Sequence, residues 1–157
     1  MGAVTQEAVL LGSTIRETVT GLRTLTDDEV WDALERAAVV DEVRAMPMRL
    51  ETLVNPATVS GGQQQRILLA RALAMSARLL LLDEATSAMD DLSQARVMAA
   101  LEALDATRIV VAHRLGTVRG ADRIVVVDGG KIVEDGTYES LVNANGLFAR
   151  LVARQLA

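Results

Sequence analysis

The sequence predicts an α/β fold with a mostly parallel sheet and an added α-helical subdomain. Three observations lead there. The apolar runs Leu79–Leu82, Arg108–Ala112 and Arg123–Val127 have strand length and are rich in Leu, Val and Ile, the composition of strands covered on both faces. Amphipathic stretches separate these runs, as helices packed over a sheet must. Half of the 157 residues are hydrophobic, enough to bury one sizeable core.

Taken in order, Gly2–Thr5 reads as a strand already under way, and so abrupt a start leads us to expect a truncated chain. Ser13 or Thr14 then caps a short helix through Glu17. Thr26 with Glu29 three residues on makes a capping box, since each side chain can satisfy the other's free N–H. Val30, Trp31, Leu34 and Ala38 supply the apolar face of a helical stretch over about 26 to 46. Asn55-Pro56 breaks the chain, and Ser60 caps a helix whose apolar positions include Ile67, Leu68, Ala70, Leu73 and Ala74. Leu79–Leu82 is a buried strand, Leu92–Leu104 a helix, and Arg108–Ala112 and Arg123–Val127 two further strands. Asp128-Gly129-Gly130-Lys131 makes a tight hairpin to Ile132-Val133, because glycines accept the positive φ values of a two-residue turn. Helices near Thr137–Val142 and Leu147–Gln155 close the chain.

Composition excludes several functions. A formal charge of −5 and a pI near 4.9, with basic residues dispersed, oppose a nucleic-acid surface, which needs clustered Lys and Arg. Trp31, Tyr138 and Phe148 are the only aromatic residues, too few for base stacking. Without cysteine there are no disulfides or thiolate metal sites. No apolar run approaches the ~20 residues that cross a bilayer. The start has no basic segment followed by an apolar stretch, so no signal peptide is expected.

Chemistry concentrates at two places. Ser60-Gly61-Gly62-Gln63-Gln64-Gln65-Arg66 puts two glycines at a helix start, where free backbone N–H groups beside a hydroxyl suit an anionic phosphate. By itself, Ser-Gly-Gly is equally a turn before an ordinary helix. Downstream, the apolar run Leu79–Leu82 ends in Asp83-Glu84, two carboxylates at the strand end where open α/β sheets bind ligands. Asp83 is placed to hold Mg²⁺ and Glu84 to polarise an attacking water. A bare acidic pair could equally be a helix N-cap.

Together with Ser87-Ala88-Met89-Asp90, these residues resemble the ATP-binding-cassette (ABC) ATPases. Ser60–Arg66 is similar to the family's signature sequence, with Val59 where a leading Leu is usual; Leu79–Glu84 resembles its Walker B strand and Ser87–Asp90 its D-loop. Gln6 resembles the Q-loop glutamine and His113, the sole histidine, the switch histidine that contacts the γ-phosphate. The resemblance implies the C-terminal part of a P-loop NTPase (RecA-like) core plus a helical signature subdomain, using ATP and Mg²⁺. It implies Glu84, His113 and Gln6 as catalytic, Asp83 and Gln6 as Mg²⁺ ligands, Asp90 in the D-loop, and Ser60, Gly61, Gly62 and Gln63 facing the ATP of a second module packed head to tail. It implies further partners: a transmembrane domain, and an N-terminal half bearing the phosphate loop, at the cytoplasmic face of a membrane. Implied boundaries are 1–20 for a core strand and Q-loop, 21–76 for the helical subdomain and 77–157 for the rest of the core.

No Gly-x-x-x-x-Gly-Lys phosphate loop occurs in these residues, and Lys131, the only lysine, sits in the hairpin. The chain alone is therefore expected to be inactive. The motifs around His113, Asp128–Thr137 and Asn145–Phe148 resemble exporters with a fused membrane domain; Met46-Pro47-Met48 and Leu147–Leu156 further resemble bacteriocin or leader-peptide exporters. Glu51–Val59 departs from the exporter pattern, being short and without its acidic, glycine-rich stretch. Two alternatives remain. One is a non-enzymatic partner or regulatory remnant. The other is a chromosome-maintenance ATPase, disfavoured because about 50 residues between Gln6 and the signature leave no room for long coiled coils.

Overall fold

The computed structural model describes residues 2–4, 13–75, 77–83, 85, 89–112 and 115–155, and the chain divides into two compact units, Met1–Val111 and Ala112–Ala157. In the first, β1 (Gly2–Val4), β2 (Leu79–Asp83) and β3 (Thr107–Val111) form a sheet in that spatial order. Both pairings are parallel, with Val4 opposite Leu82 and Asp83 opposite Val111. β2 is central and alternates buried Leu80 and Leu82 with half-buried neighbours. β3 leaves Ile109 and Val111 each 53% exposed.

Helices α1 (Ile15–Thr20), α2 (Asp27–Arg36), α3 (Val40–Ala45) and α4 (Gly61–Ala74) lie between β1 and β2 in sequence. Thr14, rather than Ser13, caps α1: its side chain accepts the Glu17 N–H, and the Glu17 carboxylate accepts the Thr14 N–H at 2.9 Å. The helix runs beyond Glu17 to Thr20 and stops at Gly21, whose φ of +59° glycine tolerates without strain. Thr26 and Glu29 form the expected capping box.

The helical stretch expected over 26 to 46 is broken in two at Ala38, whose φ is +56°. The Ala38 N–H reaches Glu35 O at 2.9 Å and the Val39 N–H reaches Leu34 O at 3.0 Å, the two bonds of a Schellman ending. That ending ordinarily advertises itself with glycine. Alanine conceals it in the sequence, and Val39 is buried beyond the turn.

Residues 13–15 pair with 52–54 through Ile15 N–H to Thr52 O and Val54 N–H to Ser13 O, both at 2.9 Å. A short 3-10 turn, Arg49–Glu51, precedes this pairing and was not expected. Asn55-Pro56 breaks the chain as an Asx turn: Asn55 Oδ1 accepts the Ala57 N–H at 2.9 Å, while Thr58 Oγ1 donates to Leu53 O. α4 then buries Ile67, Leu69, Ala70, Ala72 and Leu73 against the faces of α1 and α2, where Ile15, Val19, Val30 and Leu34 are fully enclosed. The same core continues to Leu80 of β2 and to Val97 and Leu101 of α5 (Asp91–Glu102), begun by the cap Asp90.

The second unit holds α6 (Leu115–Val118), too short to be signalled by periodicity, then β4 (Ile124–Asp128) and β5 (Lys131–Gly136) in an antiparallel hairpin. Gly129 and Gly130 have φ of +54° and +74°, as a two-residue turn matched to strand twist requires. α7 (Tyr138–Asn143), capped by Thr137, and α8 (Leu147–Gln155) cover one face of the hairpin, burying Ile124, Val126, Leu141, Phe148 and Val152. Tyr138 and Phe148 meet edge to face at 5.5 Å. Val125, Val127, Ile132 and Val133 are exposed.

Candidate functional site

Ser60 has the extended backbone of an N-cap (φ −70°, ψ 162°). Its Oγ accepts the Gln63 N–H at 3.2 Å, and Gln63 Oε1 accepts the Ser60 N–H at 2.8 Å, a reciprocal box. The N–H groups of Gly61 and Gly62 fall in the first turn, where a helix supplies no acceptor of its own. Both Ser60 and Gly61 are exposed, and a Cβ on Gly61 would meet nothing within 4 Å. A helix of 14 residues thus presents its positive end and an open backbone to solvent. That arrangement can receive an anionic group.

Two further side chains of α4, Gln63 and Arg66, are held by one carboxylate of α3. Gln63 Nε2 donates to Glu42 Oε2 at 2.7 Å, so the Gln63 amide is engaged at both ends. Arg66 reaches the same carboxylate through Nη1 to Oε1 at 2.7 Å and Nη2 to Oε2 at 3.1 Å. It also donates to Ala38 O at 2.8 Å and to Gly62 O at 3.3 Å. Sequence reasoning missed Glu42. One Glu on the polar side of an amphipathic helix carries no motif, and only the fold brings it to the signature.

Asp83 ends β2, half-buried, opposite the last residue of β3, so its carboxylate stands at the carboxyl edge of the sheet. Among the described residues no three His, Asp or Glu side chains gather as a metal cluster. A single strand-end carboxylate fits Mg²⁺, which takes one or two carboxylates together with substrate phosphates and water rather than an all-protein cage. Asp90 is the N-cap of α5, accepting the Ser93 N–H at 2.9 Å. That N–H holds the Asp90 carboxyl below its ordinary range, keeping it ionised. Gln6, Glu84, Ser87 and His113 lie outside the described residues. The structure therefore brings Ser60, Gly61, Gly62 and Gln63 together at one helix start and places Asp83 and Asp90 at the ends of β2 and the beginning of α5.

With this geometry in view, comparison with known proteins finds the ABC transporter family model matching residues 1–87, more than half of the sequence. The chain belongs to the ABC transporter family. It is 47% identical over 155 residues to an ATP-dependent lipid A-core flippase of Burkholderia orbicola, covering 96% of this chain and 26% of that protein. To a mitochondrial potassium channel ATP-binding subunit of Pongo abelii it is 44% identical over 160 residues, covering 99% of this chain and 22% of that one. The solved structure of a bacterial Atm1-family ABC exporter with ATP bound matches at a TM-score of 0.94 and 35% identity, over 99% of this chain and 28% of the exporter chain. The chain spans about a quarter of the length of the flippase it matches. Its fold is that part of an ABC exporter's ATP-binding domain: α/β, with a parallel sheet and an attached set of helices. Among the described residues no helix is long and apolar enough to cross a membrane.

Proposed function

We propose that this chain is part of the ATP-hydrolysing module of an ABC exporter, supplying the groups that complete a partner's nucleotide site and activate water at its own. The observation that carries the proposal is the open N-terminus of α4, with Ser60 and Gly61 exposed and the N–H groups of Gly61 and Gly62 placed in the first turn to meet phosphate. The family membership and the likeness to an ATP-bound exporter support it. In this reading residues 21–76 are the helical subdomain, flanked by core segments 1–20 and 77–157. Ser60, Gly61, Gly62 and Gln63 face the ATP held by a second module. Asp83 and Gln6 hold Mg²⁺, which when bound neutralises charge developing on the phosphates. Glu84 orients and polarises water, His113 contacts the γ-phosphate, and Asp90 belongs to the loop between modules. A membrane domain and a phosphate-loop segment complete the assembly at the cytoplasmic face of a membrane.

The similar flippase and potassium channel subunit lend no support to bacteriocin or peptide export. That assignment rests on residues 46–48 and 147–156 alone, whereas a lipid-like cargo has the flippase's name behind it. A regulatory or non-enzymatic role is the second reading.

Phosphate release decides between them. The 157-residue chain alone is expected to show no ATPase activity above background. In the assembled transporter, Glu84→Gln is expected to retain bound ATP while turnover falls at least about a hundred-fold. Turnover within a few-fold of the parent would remove Glu84 from this role.

A further inference from the structure

Glu42 stands behind the signature helix, and three hydrogen-bonding groups of α4 converge on it. Its Oε2 takes Gln63 Nε2 at 2.7 Å and Arg66 Nη2 at 3.1 Å, and its Oε1 takes Arg66 Nη1 at 2.7 Å. Through Gln63 this carboxylate connects to the Ser60 N–H, because the other end of the same amide accepts it at 2.8 Å. Through Arg66 it connects to Gly62 O and to Ala38 O, the carbonyl of the left-handed residue that separates α2 from α3. A single side chain on α3 thus governs both the cap residue and the first-turn glycine carbonyl of α4. The network is sheltered, with the Arg66 side chain 14% exposed and that of Glu42 38%.

The charges are matched as well as the geometry. A bare carboxylate behind a helix start would oppose an incoming phosphate, and a bare guanidinium would compete for it. Paired in a fork-like contact, the two cancel each other's field while keeping direction. Hydrogen bonds of this kind hold donors in place before the ligand arrives.

We propose that Glu42 is a positioning residue of the signature helix: acting through Gln63 and Arg66, its carboxylate sets the direction in which Ser60, Gly61 and Gly62 meet a partner module's nucleotide. This rests on the reading of Ser60–Gly62 as nucleotide-facing. Glu42 touches neither nucleotide nor water and is not a catalytic residue.

The test has two arms. In the 157-residue chain, Glu42→Ala should speed amide exchange at Gln63 and Gln64 by about ten-fold while the remainder of α4 is unchanged. In the assembled transporter reconstituted in lipid, Glu42→Ala should raise the KM for ATP by about five-fold or more with kcat within about two-fold. A role in folding alone would instead lower the amount of active enzyme at constant KM. Glu42→Gln, which keeps an acceptor for one partner, should fall between Glu42→Ala and the parent. If Glu42→Ala fails to fold, Arg66→Lys, which retains charge without the fork, is read in the same way. A parental KM in the folded variant, or unchanged exchange at Gln63 and Gln64, overturns the proposal. Gly61→Asp separates this failure from that of the functional reading. Loss of ATP turnover in Gly61→Asp beside a parental Glu42→Ala removes only the positioning role. Parental turnover in Gly61→Asp removes the nucleotide-facing reading, and the positioning role with it.

Discussion

The carboxylate of Glu134 on β5 accepts the backbone N–H of Phe148 at 2.8 Å, and that of Leu147 at 2.6 Å, at the start of α8. A strand side chain therefore does for α8 what an N-cap residue does for α1, α2, α4, α5 and α7. Gly146 makes room for it, since a Cβ there would overlap the carboxylate. Glu134→Ala should cost about 1 kcal/mol, read as a lowered urea midpoint with faster exchange at Leu147 and Phe148. Gly146→Ala should destabilise the same helix although alanine is the better helix former. Unchanged exchange in both variants would mean that the clasp is not formed in solution.

Leu34 is fully buried where α2 meets α4. Leu34→Ala removes methyl groups from an enclosed site and should cost about 3 kcal/mol. Chemical denaturation of parent and variant measures the difference. A loss below about 1 kcal/mol would show that the helices close over the gap.

Acid should weaken the chain through two helix starts and one ion pair. The Ser93 N–H holds Asp90, the Thr26 N–H holds Glu29, and Arg123 holds Asp135, each below the ordinary carboxyl range of 3.8 for Asp and 4.5 for Glu. A folded-state value lower than the unfolded one contributes stability that is complete above the unfolded value and lost as pH falls through the folded one. Stability should therefore be flat down to about pH 5 and decline below pH 4. Asp90→Asn, which still caps but does not titrate, should shrink the fall in urea midpoint between pH 6 and pH 3. An identical fall in parent and variant would remove Asp90 from the acid response.

Ile109 and Val111 lie on one side of β3, each 53% exposed, and exposed apolar strand surface promotes association. Ile109→Lys should reduce light scattering of the concentrated 157-residue chain. No change in scattering would locate the sticky surface elsewhere, with the apolar outer residues of the hairpin next to be tested.

Much of the architecture is legible residue by residue because the signals are local. Thr14 or Thr26 with a Glu three positions on states a helix start, and Gly129-Gly130 states a hairpin, since each pattern satisfies its own backbone. The break between α2 and α3 is illegible because Ala38 adopts the left-handed conformation without being glycine. Arg66, distant in sequence, holds the carbonyl of that turn. Glu42 is hidden for the same reason, its meaning lying wholly in a contact with α4. For the candidate site, Ser60-Gly61-Gly62 and the strand-end Asp83 could be read directly.

The sequence by itself determined the kind of chemistry: free N–H groups at a glycine-rich helix start, and carboxylates at the end of an apolar strand, follow from local backbone geometry and side-chain type. Tertiary structure decided what stands behind them. Which carboxylate braces Gln63 and Arg66, and which strand residue caps α8, depend on packing between segments far apart in the chain. No local pattern encodes a partner that only the folded core brings within 3 Å.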